Sequence, residues 1–354
     1  MRPLFATIDS AALRHNLAAV RSHAPRSRVL AVIKANAYGH GRARVAAALA
    51  QADGFGLVEL DAAVALREAG YRQRIVLLEG FFEPSELPVL VRHGLATAVH
   101  SPEQVAALDG LPRDAKLDVL LKVNTGMNRL GLTPEEYAKA RERLAADSRI
   151  GSITLMSHFA EADEARGIEW QMERLRRFPG HDSVPLSLAN SAAILRYPET
   201  HAAWVRPGIM LYGCSPFPGR TAQESGLRPA MTFESQLIAV QDLRPGETVG
   251  YGGQFRAERA MRVGVVACGY ADGYPRHAPN GTPVEVAGTM TGTVGRVSMD
   301  LLCVDLAPVA SAAVGSRVVL WGEGVPVERV AAAAGTVGYQ LLCAVAPRVR
   351  IVEA

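Results

Sequence analysis

The sequence predicts an α/β chain, a (β/α)8 TIM-type barrel followed by a smaller, mostly β domain. Three observations predict it. Short apolar runs alternate with amphipathic stretches eight times over roughly 220 residues, the count and size of such a barrel. After about Arg228 the texture changes to apolar runs separated by glycine and proline turns. The polar residues with chemical potential fall where barrel strands would end. A doubly wound open sheet is the alternative, but it ordinarily has fewer strands. The predicted division is 1–228 and 229–354.

The opening run Leu4–Ile8 precedes the first barrel helix, so residues 1–8 are open to pairing with the second domain. Barrel strands are buried on both faces and read as nearly continuous apolar runs. They are predicted at Val29–Ile33, Phe55–Val58, Ile75–Leu78, Leu95–Val99, Leu117–Val123, Ile153–Ser157, Pro185–Leu188 and Val205–Leu211. Between them, Ser101-Pro102-Glu103-Gln104 and Thr133-Pro134-Glu135-Glu136 start helices. Each has a capping residue, proline at the first helical position and Glu or Gln three residues on. Gly70 and Gly94 stand where a helix stops. In the second domain Met231–Val240, Val263–Cys268, Val284–Val286 and Val318–Trp321 read as strands, and only Val327–Ala334 reads as a helix.

Composition narrows the function classes. The net charge of +3 is small, and no basic block stands beside aromatics, which argues against nucleic acid. No run approaches about 18 consecutive apolar residues, so no membrane span is expected. The first residues, MRPLFATIDS, lack the apolar stretch of a secretory signal, so a cytoplasmic enzyme is expected. Cys214, Cys268, Cys303 and Cys343 form no CxxC pair and read as structural thiols; no metal site is expected. Only four of the 38 basic residues are lysine. Lys34, inside an apolar run, therefore calls for a chemical reason.

Lys34 follows strand 1, Arg129 strand 5 and His158 strand 6; Asn190-Ser191 follow strand 7, and Arg206-Pro207-Gly208-Ile209 lie at strand 8. Loops after the last two strands commonly bind phosphate in such barrels. A desolvated lysine there has a lowered pKa and can form a Schiff base. Tyr38, Gly39, His40 and Gly41 follow it as a loop able to approach phosphate. Taken singly, each residue has a structural explanation: a lysine or Arg206 in a barrel ion pair, a satisfied core histidine, Arg129 at a helix end. Their convergence on one rim is the signal.

AVIKANAYGHG, LKVNTGMNRLGL, SHFAEAD, NSAA, RPGIMLYG, GYADGYPR, GRVSMD and TVGYQLLC occur in the order found in bacterial alanine racemases, which the chain resembles from about Phe5 to its carboxyl end. The resemblance implies pyridoxal 5'-phosphate as cofactor and a head-to-tail homodimer with two composite sites. Lys34 would carry the cofactor, and Tyr270 from the other subunit would face it. Tyr38, Ser191, Gly208, Ile209 and Tyr339 would hold the phosphate, with Asn190 beside them. Arg206 would donate to the pyridine nitrogen, and His158 would stack near the ring and link to Tyr270. Arg129 would contact the cofactor phenolate and, with the Met299 N–H, the substrate carboxylate. Asp163 and Arg296 match positions lining the substrate channel. Asn124 stands where many members have aspartate, and Lys122 matches a lysine carbamylated in some members.

The implied reaction interconverts L- and D-alanine with two bases, Lys34 acting on the D form and Tyr270 on the L form. A tyrosine of pKa about 10 needs about 4 kcal/mol of differential stabilisation to work near pH 7; His158 and Arg206 are the expected sources of positive potential. The product would supply peptidoglycan or enter alanine catabolism. The alternatives are a racemase of the same fold acting on serine or more broadly, a barrel decarboxylase, and a non-catalytic cofactor-binding barrel. The last would lack the second domain and Tyr270.

Overall fold

The structure, a computed structural model, describes residues Arg2–Ala354. In chain order its strands are β1 (Phe5–Ile8), β2 (Arg28–Val32), β3 (Gly54–Leu57), β4 (Arg74–Leu77), β5 (Ala96–Val99), β6 (Leu117–Lys122), β7 (Ile150–Met156), β8 (Leu186–Ser187) and β9 (Trp204–Val205). These are followed by β10 (Met231–Leu243), β11 (Thr248–Val249), β12 (Phe255–Arg256), β13 (Met261–Val266), β14 (Pro283–Val286), β15 (Thr289–Val294), β16 (Leu302–Asp305), β17 (Arg317–Trp321) and β18 (Arg350–Glu353).

Strands β2 to β9 form a closed parallel barrel, as expected. The ring closes where Arg28 and Val29 pair with Trp204 and Val205. Buried side chains pack as a cluster comprising Leu30, Val76, Ala96, Ala98, Leu120, Met156 and Trp204. At the amino-terminal mouth the guanidinium carbons of Arg28 and Arg74 lie 5.0 and 5.5 Å from the Trp204 ring. Asp118 lies 3.6 Å from Arg74, and Asp53 accepts the Val29 N–H at 2.8 Å. Acids and stacking thus offset the cations there, so that end reads as stabilising structure.

The helix starts follow the sequence signals. Ser101 Oγ accepts from Gln104 N, and Thr133 with Glu136 forms a reciprocal capping box at the head of Pro134–Ala146. Gly70 and Gly94 take φ of 92° and 56° just past helix ends, a conformation glycine adopts without strain.

The second sheet is mixed, ordered β13-β16-β15-β14-β17-β10-β1-β18. In it β1 pairs antiparallel with β10 and parallel with β18, so both chain ends enter one sheet. Two predictions need correction. The eighth barrel strand ends at Val205, because Pro207 interrupts it and Ile209–Tyr212 form a helical turn. A second helix, Gly338–Ala344, follows Val327–Ala333.

The chain divides into two compact units, Leu17–Ala37 with Arg42–Leu211, and residues up to Asn16 with Tyr38–Gly41 and Tyr212–Ala354. No helix among the described residues is long and apolar enough to cross a membrane. Among them no group of three or more His, Cys, Asp or Glu is placed to hold a metal ion.

Candidate active site

Lys34 leaves the carboxyl end of β2 and is followed by a left-handed turn, with φ of 52° at Ala35, 50° at Asn36, 55° at Ala37 and 51° at Tyr38. Non-glycine residues in this region cost about 1–2 kcal/mol each. The turn is tied by Ala37 N donating to Ile33 O at 3.1 Å, and by Asn36 Oδ1 accepting from Arg42 N at 3.0 Å. The Lys34 side chain is 39% exposed in the single chain, and its Nζ lies 4.0 Å from Glu79.

Around it the barrel rim gathers basic side chains. Lys122 ends β6, His158 follows β7, and Arg206 follows β9. Arg206 is buried, with Nη1 donating to Ser187 O at 2.6 Å and Ser187 Oγ at 2.8 Å, and Nη2 to Ser157 O at 2.6 Å. The same Nη2 approaches His158 Nδ1 at 3.4 Å. A guanidinium only donates, so Nδ1 is the acceptor and the imidazole proton sits on Nε2. Burial, followed by the charges of Arg206, Arg129, Lys122 and Lys34, holds His158 well below the usual histidine range. The direction of that shift leaves the imidazole neutral, with the adjacent positive charge on Arg206. Burial lowers Arg206 to about 10, which leaves it protonated at neutral pH. Lys122 is lowered to about 8 by burial and then by Arg206 and Arg129, with Glu79 opposing. A narrow cleft of about 10 Å³, room for about one water, is lined by Lys122, Arg129, Ser157 and His158.

The loop carrying Arg129 is braced by Asn124. Its Oδ1 accepts from Gly126 N at 2.9 Å and Asn128 N at 3.1 Å, and its Nδ2 donates to Asn128 Oδ1 at 3.0 Å. Gln171, which the sequence did not single out, is buried and donates to Thr125 Oγ1 and His158 O while accepting from Ala160 N. Asn190 caps helix Ser191–Arg196 through Ala193 N. Ser191 Oγ accepts from Gly208 N at 2.9 Å and Met210 N at 3.4 Å. Between these two, Ile209 opens a helical turn, where backbone N–H groups lack intrahelical acceptors. Asp163 lies in this same unit.

Tyr38, Tyr270, Arg296, Met299 and Tyr339 belong to the other unit. Tyr38 stacks on Tyr212 with centroids 4.6 Å apart, and the Tyr339 ring is 6.2 Å from it. Burial pushes the Tyr38 phenol well above its usual range, so it donates as a neutral hydroxyl. A Cβ on Gly39 would collide with the Leu342 carbonyl, so only glycine lets this turn reach helix Gly338–Ala344. Tyr270 opens the helical turn Tyr270–Asp272 and is 37% exposed, and Met299 is 55% exposed.

The family model for the alanine racemase N-terminal domain matches residues 8–216, and that for the C-terminal domain matches 230–353. The chain is 60% identical over 352 residues to the alanine racemase of Nitrosospira multiformis, covering 99% of both chains. It is 54% identical to the catabolic alanine racemase of Klebsiella aerogenes, again with 99% of both covered. The crystal structure of the biosynthetic alanine racemase from Pseudomonas aeruginosa superposes with a TM-score of 0.96 at 46% identity, covering 100% of each chain.

Proposed function

The chain belongs to the alanine racemase family, and on that premise we propose that Lys34 and Tyr270 are the two bases with which it interconverts L-alanine and D-alanine. The family depends on pyridoxal 5'-phosphate. The residues present fit that cofactor. Lys34, Lys122, Arg129 and Arg206 face a single carboxylate, Glu79, among the charges acting on Lys122. This cation excess suits a multiply anionic group and is the observation that carries the reading. When bound, the cofactor acidifies the α-proton of the amino acid by taking up electron density.

The residue roles follow from the chain's own chemistry. Lys34 anchors the cofactor and takes the α-proton from D-alanine; Tyr270 takes it from L-alanine on the opposite face. Arg206 stays protonated and donates toward the pyridine nitrogen. His158, neutral with its proton on Nε2, donates a hydrogen bond to the Tyr270 phenolate and transmits the Arg206 charge through Nδ1. Tyr38, Ser191, Gly208, Ile209 and Tyr339 hold the phosphate, next to the Asn190 cap. Arg129 and the Met299 N–H hold the substrate carboxylate, and Asp163 with Arg296 lines the channel. The exposure of Tyr270, Met299 and Leu301 in a single chain supports a homodimer in which these residues serve the other subunit. A cytoplasmic enzyme divided near residue 228, acting on an amino acid and not on nucleic acid, completes the proposal. Its D-alanine serves peptidoglycan supply or alanine catabolism.

The test is incubation of the purified holoenzyme with L-alanine and a chiral assay for D-alanine, with Lys34→Ala alongside. D-alanine that disappears in the variant supports reaction, substrate and anchor together. No D-alanine with intact borohydride-sensitive cofactor absorbance removes the substrate assignment, and a panel including serine then identifies the amino acid used.

A further inference from the structure

Tyr270 has an exposed side chain, so its place depends on the backbone that carries it. That backbone is one helical turn, Tyr270–Asp272, sutured to the segment bearing Met299. Tyr270 N donates to Ser298 O and Ala271 N to Met299 O, both at 3.0 Å. Gly269 packs so closely on this segment that a Cβ there would strike the Met299 carbonyl.

Asp272 closes the turn. Its side chain is fully buried, and Oδ2 accepts the Gly269 N–H at 2.8 Å. Arg2 grips it through both oxygens, at 2.6 and 2.8 Å, and Arg348 Nε adds a third cationic bond at 2.7 Å. The same two arginines continue to Asp300: Arg2 Nη2 reaches its carbonyl and Arg348 Nη2 its carboxylate, each at 2.6 Å. Bidentate and charge-assisted bonds of this kind fix direction as well as distance. Arginines from the two ends of the chain therefore tie the Tyr270 turn and the Met299 segment into one clamp.

We propose that Asp272, held by Arg2 and Arg348, is a positioning residue that sets the reach of Tyr270 in proton transfer. The proposal rests on Tyr270 being the base for L-alanine. Asp272 has no contact with the reacting atoms and acts only through the turn. A displacement of about 1 Å in a reacting group can cost on the order of 100-fold in rate.

The experiment compares holoenzyme variants Asp272→Asn and Arg2→Met with wild type, using α-deuterated L- and D-alanine. A slowed Tyr270 step makes proton removal from L-alanine more rate-limiting, so the deuterium effect on kcat/KM rises with L-alanine. With D-alanine, Lys34 removes the proton and slow return from Tyr270 lets that step equilibrate, so the effect falls. The expected result is this opposed change, with kcat down roughly 10- to 100-fold in Asp272→Asn, less in Arg2→Met, and partial recovery in Arg2→Lys. Arg2→Met is partly exposed and guards against misfolding of the buried variant. Lower melting temperatures with unchanged isotope effects in both directions would overturn the proposal. Undiminished racemisation by Tyr270→Phe would instead remove the role of Tyr270 on which it rests.

Discussion

Lys122 is a buried cation among cations, and the replacement Lys122→Met tests how much that costs. Its pKa falls from 10.5 to about 8, first through burial and then through Arg206 and Arg129. The folded-state pKa is depressed, so between about 8 and 10.5 the unfolded chain binds more protons and stability rises with pH. Below that window the full penalty is present, roughly 3 kcal/mol at pH 7. Cofactor-free Lys122→Met should therefore be more stable than wild type at pH 7, by up to that amount less the mismatch in packing. The advantage should shrink as pH rises through the window. Denaturant midpoints at fixed protein concentration, from pH 7 to 10.5, measure it. The neutral amine present near pH 8 is also the form that adds carbon dioxide, and a carbamate between Arg129 and Arg206 exchanges repulsion for attraction. Bicarbonate should then raise the midpoint of wild type and leave the Met variant unchanged. A Met variant that is less stable at every pH, with no trend across the window, would refute the electrostatic argument.

His158 must gain a proton on acid unfolding. Its folded pKa lies well below 6.5, so its contribution is present above that value and lost as pH falls through it. His158→Gln should flatten the stability profile below pH 6.5, read by thermal melts across pH. For Arg206→Gln, racemisation should fall and transamination rise relative to it, because the permanent cation proposed for the ring nitrogen would be gone. An unchanged ratio of keto acid to D-alanine would count against that reasoning. Asn124→Asp keeps the oxygen that accepts from both backbone N–H groups but sets a carboxylate against Asn128 Oδ1, so denaturation should show a loss of about 0.5–1.5 kcal/mol with kcat nearly retained. Thr133→Ala removes the capping box of helix Pro134–Ala146 and should cost about 1 kcal/mol by the same assay.

The barrel was legible because parallel strands read as apolar runs and two helix starts carried capping residues, all local signals. What failed was local ambiguity. The segment after Val205 is apolar enough to pass for strand, yet Pro207 cannot continue it. Helix Gly338–Ala344 was hidden by Gly338 at its head and by a short run without clear helical period. Of the long-range facts, the pairing of the opening strand with the second domain was open to the sequence and observed, but others were out of reach. Tyr38–Gly41 groups with Tyr212 and Leu342 through stacking and glycine contact across some of the longest separations in the chain. The neutrality of His158 depends on burial and on four cations from separate strands and loops, and the tether on Asp272 joins residues from both ends of the chain.

The place where local preference and structure disagree most sharply is the turn after Lys34. Alanine ordinarily favours right-handed helix, yet Ala35 and Ala37 are held at φ of 52° and 55° beside Asn36 and Tyr38. Glycine would relax the steric cost, but it would also enlarge the unfolded ensemble and loosen the folded turn. With side chains present, the left-handed path is narrow, and it is tied by Ala37 N donating to Ile33 O and Asn36 Oδ1 accepting from Arg42 N. Lys34 is thereby given a fixed departure from the strand while its own side chain is partly exposed. Rigid backbone under a mobile amine is what a lysine needs if it must both hold a cofactor and exchange protons. On that reasoning the strain of about 1–2 kcal/mol per residue is tied to function. Ala35→Gly should then leave stability nearly unchanged while lowering kcat, whereas equal kcat would assign the turn to folding alone.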